Sequence, residues 1–347
     1  MLDQHLEVIL DSELLWPLKS LYWRARALIA GTIFGYEGRL TLAQLLLALA
    51  TAFIAYRIYV RPEGRVSIRE FLRYAVPSSI YRHASTRVDL KIYLFNSIVS
   101  PTRIVLRGVG PAVVGGALAH GLRAVLGEPA GVLPATTASI VGLGVLTFVV
   151  YDLSTYITHR LSHEVPLLWA FHRVHHSAEV LNPFTLMRKH PVYDLVGDCL
   201  DLVIVGGLSG AILYFWPPEI GMATTAVVGT CNAAFSCIAA NLRHSHVWMS
   251  FGPVVSRVLV SPAMHQIHHS RAERHWNRNY GEVFSVWDHL FGSVYVPRER
   301  EDLVFGLPGA EAQLHPTWWR AMVEPFQYAY GCVSDLFKGI GWRSGRV

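Results

Sequence analysis

The 347-residue chain is poor in charge: Asp, Glu, Lys and Arg together make up 16%, against 52% hydrophobic residues. That ratio, with a mean hydropathy of +0.32, argues against an ordinary soluble domain. It has only four cysteines, Cys199, Cys231, Cys237 and Cys332, with no CxxC pair and no framework spacing. A disulfide scaffold, a cysteine-ligated iron–sulfur cluster and a CxxCH haem attachment are thereby excluded. The acidic opening MLDQHLEVILDSELLWPL lacks the basic then apolar order of a cleaved signal peptide. The formal charge of +5 is spread at the edges of apolar runs rather than along a basic face with interleaved aromatics, so nucleic acid is not an expected partner. No tandem repeat or low-complexity tract is present.

What the chain does have is histidine. His159, His163, His172, His175 and His176 fall within eighteen residues, and His244, His246, His265, His268 and His269 answer them downstream. HxxxH and HxxHH on helices are expected to project all their rings from one face. Surface or hydrogen-bonded core roles suffice for the scattered His5, His83, His120 and His315, but packing this many imidazoles together without a purpose would strand polar groups at roughly 1–3 kcal/mol each. Rings converging without thiolates suit iron, copper or zinc. Nine or ten exceed the four to six ligands of one ion, so a dinuclear site is expected.

The apolar runs predict an all-α integral membrane protein with about four transmembrane helices. Leu40–Tyr59 is the clearest span; 91–122 reads as one broken or tilted crossing preceded by an interfacial piece; Val132–Tyr156 runs directly into HRLSH; and Leu195–Trp216 with Ile220–Ala240 forms a hairpin about Pro217–Glu219. Residues 1–40, with Trp16, Tyr22 and Trp23 beside Lys19, Arg24 and Arg26, read as interfacial. Residues 57–91 carry eight basic and three acidic side chains, which places that loop in the cytoplasm and the N-terminus outside. By this topology every histidine motif meets on the cytoplasmic face, and the polar, aromatic tail after Arg271 caps it. The expected divisions are an N-terminal region 1–131, a catalytic core 132–298 and a cytosolic tail 299–347.

HRLSH at 159–163, HRVHH at 172–176, His244, HQIHH at 265–269, and NYG followed by WDHLFGS at 279–293 together resemble the fatty acid hydroxylase and sterol desaturase superfamily of membrane di-iron enzymes. The resemblance covers about 151–296. It implies His159, His163, His172, His175, His176, His244, His265, His268 and His269 as metal ligands. Asp152, Asn182, Asn279 and Asp288 match polar positions near the family's metal site or its cap, and Asp152, seven residues before His159, is placed to accept a ligand's second N–H. His190, His246, His275 and His289 stay outside the set. The implied activity is dioxygen-dependent hydroxylation of a sterol-like or fatty-acyl lipid by two iron ions, with zinc able to occupy the same ligands in a purified sample. Desaturation and ether-lipid cleavage are close rivals, and a non-catalytic metal-binding membrane protein is the rival of another class. That last reading is disfavoured because the clearest spans read as apolar, whereas an ion path places charge within them. With no redox centre of its own, nor the HPGG of a fused cytochrome-b5-like domain, the chain is expected to need an external ferredoxin or cytochrome with its reductase.

Overall fold

The computed structural model describes residues 42–99, 103, 106, 109–129, 131–217, 219–236 and 241–338. The interfacial segment expected at 1–40, most of the break expected near 100–108, Cys237 and the last residues of the expected hairpin lie outside the described residues. Among those described, the chain is helical, with two isolated β-bridges, Leu259 to Phe284 and Ser270 to Phe305, as its only extended pairings.

The principal helices are α1 (Leu42–Tyr59), α2 (Ile68–Ala75), α3 (Ala84–Val99), α4 (Gly110–Leu126), α5 (Thr137–Glu164), α6 (Pro166–His176), α7 (Pro191–Phe215), α8 (Glu219–Phe235), α9 (Pro262–His268), α10 (Val286–Phe291) and α11 (Trp318–Phe337). Helix α5 starts where Thr136 Oγ1 accepts the Ser139 amide at 3.1 Å, and it runs unbroken through the apolar stretch into His159 and His163. Pro166 then opens α6, where its missing N–H costs nothing.

Helices α5 and α7 are long and apolar enough to cross a membrane. Only 28% and 22% of their apolar windows are buried within the protein, and Val141, Val145, Leu146 and Val203 face outward. Apolar surface of that extent suits lipid better than water. The α1 helix likewise exposes Leu46, Phe53, Ile54 and Ile58.

Helix α5 packs against α7 and α8, and α7 packs along α4. These contacts are close because small residues occupy them. A Cβ on Gly210 of α7 would lie 2.7 Å from Leu118 Cβ of α4, and one on Gly144 of α5 would lie 2.5 Å from Val227 Cβ of α8.

The region after 298 differs from a plain tail. Helix α11 packs on α6 and α3 through Ala321, Met322, Pro325 and Ala329, while Trp319, Phe326, Tyr330, Val333 and Phe337 form a stripe on its exposed side. The spacing of 7, 11, 14 and 18 residues from Trp319 keeps that stripe on one face.

Candidate metal centre

Nine buried or half-buried histidines meet where the ends of α5, α6 and α9 converge with the 241–246 turn. They divide into two groups, His159, His163, His172, His176 and His268 in the first and His175, His244, His265 and His269 in the second, and within each group the ligand atoms lie within 4.8 Å of one another. These are the nine positions singled out from the sequence.

The division corrects the expectation that each motif points all its rings one way. Residues four apart on a helix are about 40° apart in azimuth, whereas the residue at i+3 lies about 60° to the other side. Accordingly His172 and His176 of α6 enter the first group and His175 the second. At the other motif His265 and His269 enter the second group and His268 the first. Each motif therefore sends one ring across, and the groups adjoin where His176 stacks on His269 at 4.6 Å between ring centroids.

In the second group, His244 Nε2 lies 3.1 Å from His175 Nε2, 3.0 Å from His265 Nε2 and 3.1 Å from His269 Nε2. One proton shared per contact cannot satisfy all of these nitrogens. Two nitrogens bound about 2.1 Å from one cation at roughly 90–110° sit about 3.0–3.4 Å apart, so the spacing fits ligands of a common ion. In the first group, His159 Nδ1 meets the Tyr280 carbonyl at 2.7 Å and His268 Nδ1 meets the Arg278 carbonyl at 2.8 Å. Those bonds place the ring protons on Nδ1 and leave Nε2 as a lone pair. Nε2 of His163 and of His268 are buried with no hydrogen-bond partner. The donor set thus fits a metal pair.

Burial, reinforced by the neighbouring rings, holds His172, His175, His176, His244, His265 and His268 well below the usual imidazole pKa. Neutral imidazole is the ligating form.

The four supporting positions act on the scaffold, and none hydrogen-bonds a histidine ring. Asp152 accepts the Val283 and Phe284 amides at 2.9 and 3.1 Å and Trp287 Nε1 at 2.9 Å, so it ties α5 to the covering loop instead of orienting a ligand. Asp288 accepts the Tyr280 and Gly281 amides at 2.8 and 2.9 Å and Ser293 Oγ at 2.6 Å. Asn279, at φ 59°, bridges the Met264 and Tyr295 carbonyls and accepts the Tyr295 amide. Asn182 accepts the Phe184 amide and donates to Thr86 and Asp89. Both Asp288 and Asn279 thereby hold the 278–281 segment whose carbonyls anchor His159 and His268.

The histidines held apart from the set lie elsewhere. His190 caps α7 through the Val192 amide and reaches the Met322 carbonyl, His246 reaches the Tyr74 carbonyl, His275 pairs with Glu301, and His289 is exposed.

A cavity of about 470 Å³ opens against both groups, touching His159, His172, His175, His244 and His265. Its wall holds a feature the hydropathy reading passed over: Asp194, Asp198 and Asp201 of α7, with Arg103 bridging the first two at 2.9 and 2.5 Å. The signal was present as acids at i, i+4 and i+7 at the start of an apolar helix. A second cavity of about 30 Å³ touches His163, His176, His268 and His269 from the other side.

Residues 144–293 match the family model described as fatty acid hydroxylase. The chain carries a fatty acid hydroxylase domain. Within the same superfamily it is similar to alkylglycerol monooxygenase of Xenopus tropicalis, 28% identical over 58% of this chain and 43% of the relative. It is also similar to an ornithine lipid hydroxylase of Rhizobium tropici, 31% identical over 49% and 46%. A Delta(7)-sterol 5(6)-desaturase of Candida glabrata is 28% identical over 46% and 37%. The chain spans less than half the length of these curated relatives. No solved structure matches. The hydroxylase domain runs from the third turn of α5 to just past α10 and contains all nine histidines, so the comparison rests on the metal centre and its covering loop.

Proposed function

We propose that the protein is a membrane oxidoreductase that hydroxylates a C–H bond of a lipid with dioxygen, using two iron ions held by the nine histidines. The observation that carries this reading is the pair of imidazole groups opening onto one cavity within a fatty acid hydroxylase domain. The first ion is assigned His159, His163, His172, His176 and His268, and the second His175, His244, His265 and His269. Zinc would fit the same nitrogens but supplies no redox chemistry. Bound iron supplies the electron transfer to dioxygen that C–H oxidation needs. The chain's own residues hold the ligand rings in the neutral form, fix two of them through the Tyr280 and Arg278 carbonyls, and enclose the reacting lipid between α5, α7 and α8.

The lipid enters from the bilayer, and about four spans place the metal centre on the cytoplasmic side. The balance is one C–H bond and one dioxygen, two electrons and two protons in, one hydroxylated lipid and one water out. The electrons come from a separate one-electron carrier, a ferredoxin or cytochrome with its reductase. Ether-lipid cleavage is the second reading, favoured by the similarity to alkylglycerol monooxygenase across 58% of the chain. The three acids of α7 reopen the case for a metal transporter, but Arg103 pairs with two of them and the row stops at Asp201, before the middle of the helix, instead of continuing through it.

Lipids from cells expressing the protein under ¹⁸O₂ decide the matter by mass spectrometry. A labelled lipid that is absent when His163 or His244 is replaced supports the hydroxylase. Altered metal content with no labelled lipid supports the transporter.

A further inference from the structure

The large cavity is not built like a slot for the middle of a hydrocarbon chain. Six charged side chains besides Asp152 and the histidines line it, Arg103, Lys189, Asp194, Asp198, Asp201 and Glu282, together with Asn232, Thr155 and Thr158. A methylene chain sliding past such a wall would desolvate these groups and return nothing.

The polar groups are not scattered. Asp194, Asp198 and Asp201 occupy the first three turns of α7, next to its His190 cap, which spans about 10 Å at 1.5 Å per residue. On α5 the cavity follows Thr158, Thr155 and Tyr151 from the His159 end and reaches Phe148, which packs with Val283 and Phe235. The wall is thus ionic at the metal centre and gains the Tyr151 and Phe148 rings farther along α5, where Asp152, Asn232 and Glu282 keep part of it polar. A polar head group matches such a wall better than a methylene chain does.

Most of the ionic groups already have charged or hydrogen-bonding partners: Arg103 holds Asp194 and Asp198, Arg243 holds Glu282 at 2.7 Å, and Ser154 donates to Asp201 at 2.6 Å. Lys189 differs. Its ammonium has no carboxylate partner among the described residues and lies 5.7 Å from the Tyr193 ring, which itself stacks on His172 at 4.5 Å. Its backbone is pinned, because Asn96 Nδ2 donates to the Lys189 carbonyl at 2.8 Å and to that of Met187 at 3.2 Å. An ammonium carried on a pinned backbone at the cavity wall is a recognition point for an anionic oxygen.

We propose that the substrate presents its charged head group to the metal centre, with Lys189 binding a carboxylate or phosphate oxygen of that head group, so that the oxidised carbon lies in or next to the head group. This assignment rests on the hydroxylase reading. It places the polar end of the lipid among the first turns of α7 and the tail past Phe148 toward the bilayer. The step keeps the balance already given, with the electrons drawn from the external carrier and the two protons from water. Free sterols and unfunctionalised long-chain alcohols lack the oxygen that Lys189 binds and are excluded as good substrates.

The test uses the full chain in membranes, supplied under ¹⁸O₂ with its carrier and with four separate probes: phospholipids, phosphorus-free lipids bearing a carboxylate, cholesterol, and hexadecanol. Tandem mass spectrometry then locates the label. Label in the head-group fragment of a phospholipid or of a carboxylate lipid is expected, and the two arms tell phosphate from carboxylate. Label deep in an acyl chain, or preferred oxidation of cholesterol or hexadecanol, overturns the head-group assignment and leaves the hydroxylase standing. No label in any arm overturns both. With the best probe, Lys189→Met should raise KM about ten- to a hundredfold, as expected for losing a hydrogen bond to a charged group, with kcat and metal content kept. Lys189→Arg should fall between Lys189→Met and wild type. An unchanged KM in Lys189→Met overturns the role of Lys189. If Lys189→Met loses metal, Lys189→Gln decides: a raised KM with metal retained supports the contact, and an unchanged KM refutes it.

Discussion

The two histidine groups are built by different means. In the first, four of five rings come from one eighteen-residue stretch, and two of the five are braced through Nδ1 by carbonyls of the 278–281 segment. In the second, His175 meets three rings from 69 to 94 residues away, and Nδ1 of His244 and of His265, like that of His172 in the first group, has no hydrogen-bond partner. One site is oriented by a clamped loop, the other by the convergence of the rings themselves. The lesson is that equivalent ligand motifs can be positioned by unequal scaffolds, and substitutions should separate them.

The largest effect should come from the ligands. His163→Ala and His244→Ala each remove a ring from one group only, and each should lower bound iron from about two to about one per chain, with activity down more than about a hundredfold. Elemental analysis that finds both ions lost in both variants would show that the groups are not separable.

Next is Arg188→Met. Arg188 is buried, pairs with buried Asp89 at 2.8 Å, and reaches the Val174 carbonyl and Ser177 Oγ at the end of α6. Removing it leaves Asp89 as an uncompensated buried charge, a cost of about 3–5 kcal/mol. Because α6 feeds both groups, thermal unfolding should shift down and both ions should be released faster to a chelator. Retention of one ion at the wild-type rate would contradict that shared dependence.

Asp288→Ala should cost less, about 2–3 kcal/mol, by stranding the Tyr280 and Gly281 amides. Its effect should be one-sided. The loosened loop carries the carbonyls that brace His159 and His268, so chelator release should become biphasic with the first group emptying sooner. Monophasic release would erase the distinction drawn between the two scaffolds.

The smallest effect should be that of Gly210→Ala. The added methyl meets Leu118 where α7 crosses α4, a misfit worth about 1–2 kcal/mol. Stability should fall while iron content stays at wild type. Loss of iron would mean that the α4–α7 contact is coupled to the centre.

Much of this architecture was readable from residue spacing. The run from Val132 into HRLSH predicted a helix that ends in ligands, and α5 does so because no breaker interrupts it before Pro166. The nine histidines were legible because imidazoles rarely cluster without cause. Their partition was not, since a motif written as HxxHH suggests one face until the 100° between adjacent residues is set against a partner helix. The acids of α7 were hidden for another reason: hydropathy averaged over a window dilutes three charges with many apolar neighbours. Asp152 misled because seven residues along a helix does mean a shared face, yet its partners, Val283, Phe284 and Trp287, are more than 130 residues distant in sequence.

The unequal chain separations within the two groups also have a consequence for biosynthesis. As the polypeptide leaves the ribosome, His159, His163, His172 and His176 are available together once α6 is made, needing only local helix formation. The second group has a single ring until the chain has grown past His244 and is complete only past His269, and its closure joins segments of high contact order, which form slowly. His268, arriving in that same closing event, completes the first group. Metal entering during synthesis therefore meets a four-nitrogen nest first, and maturation should run in a fixed order, with the later site waiting for α9 to dock.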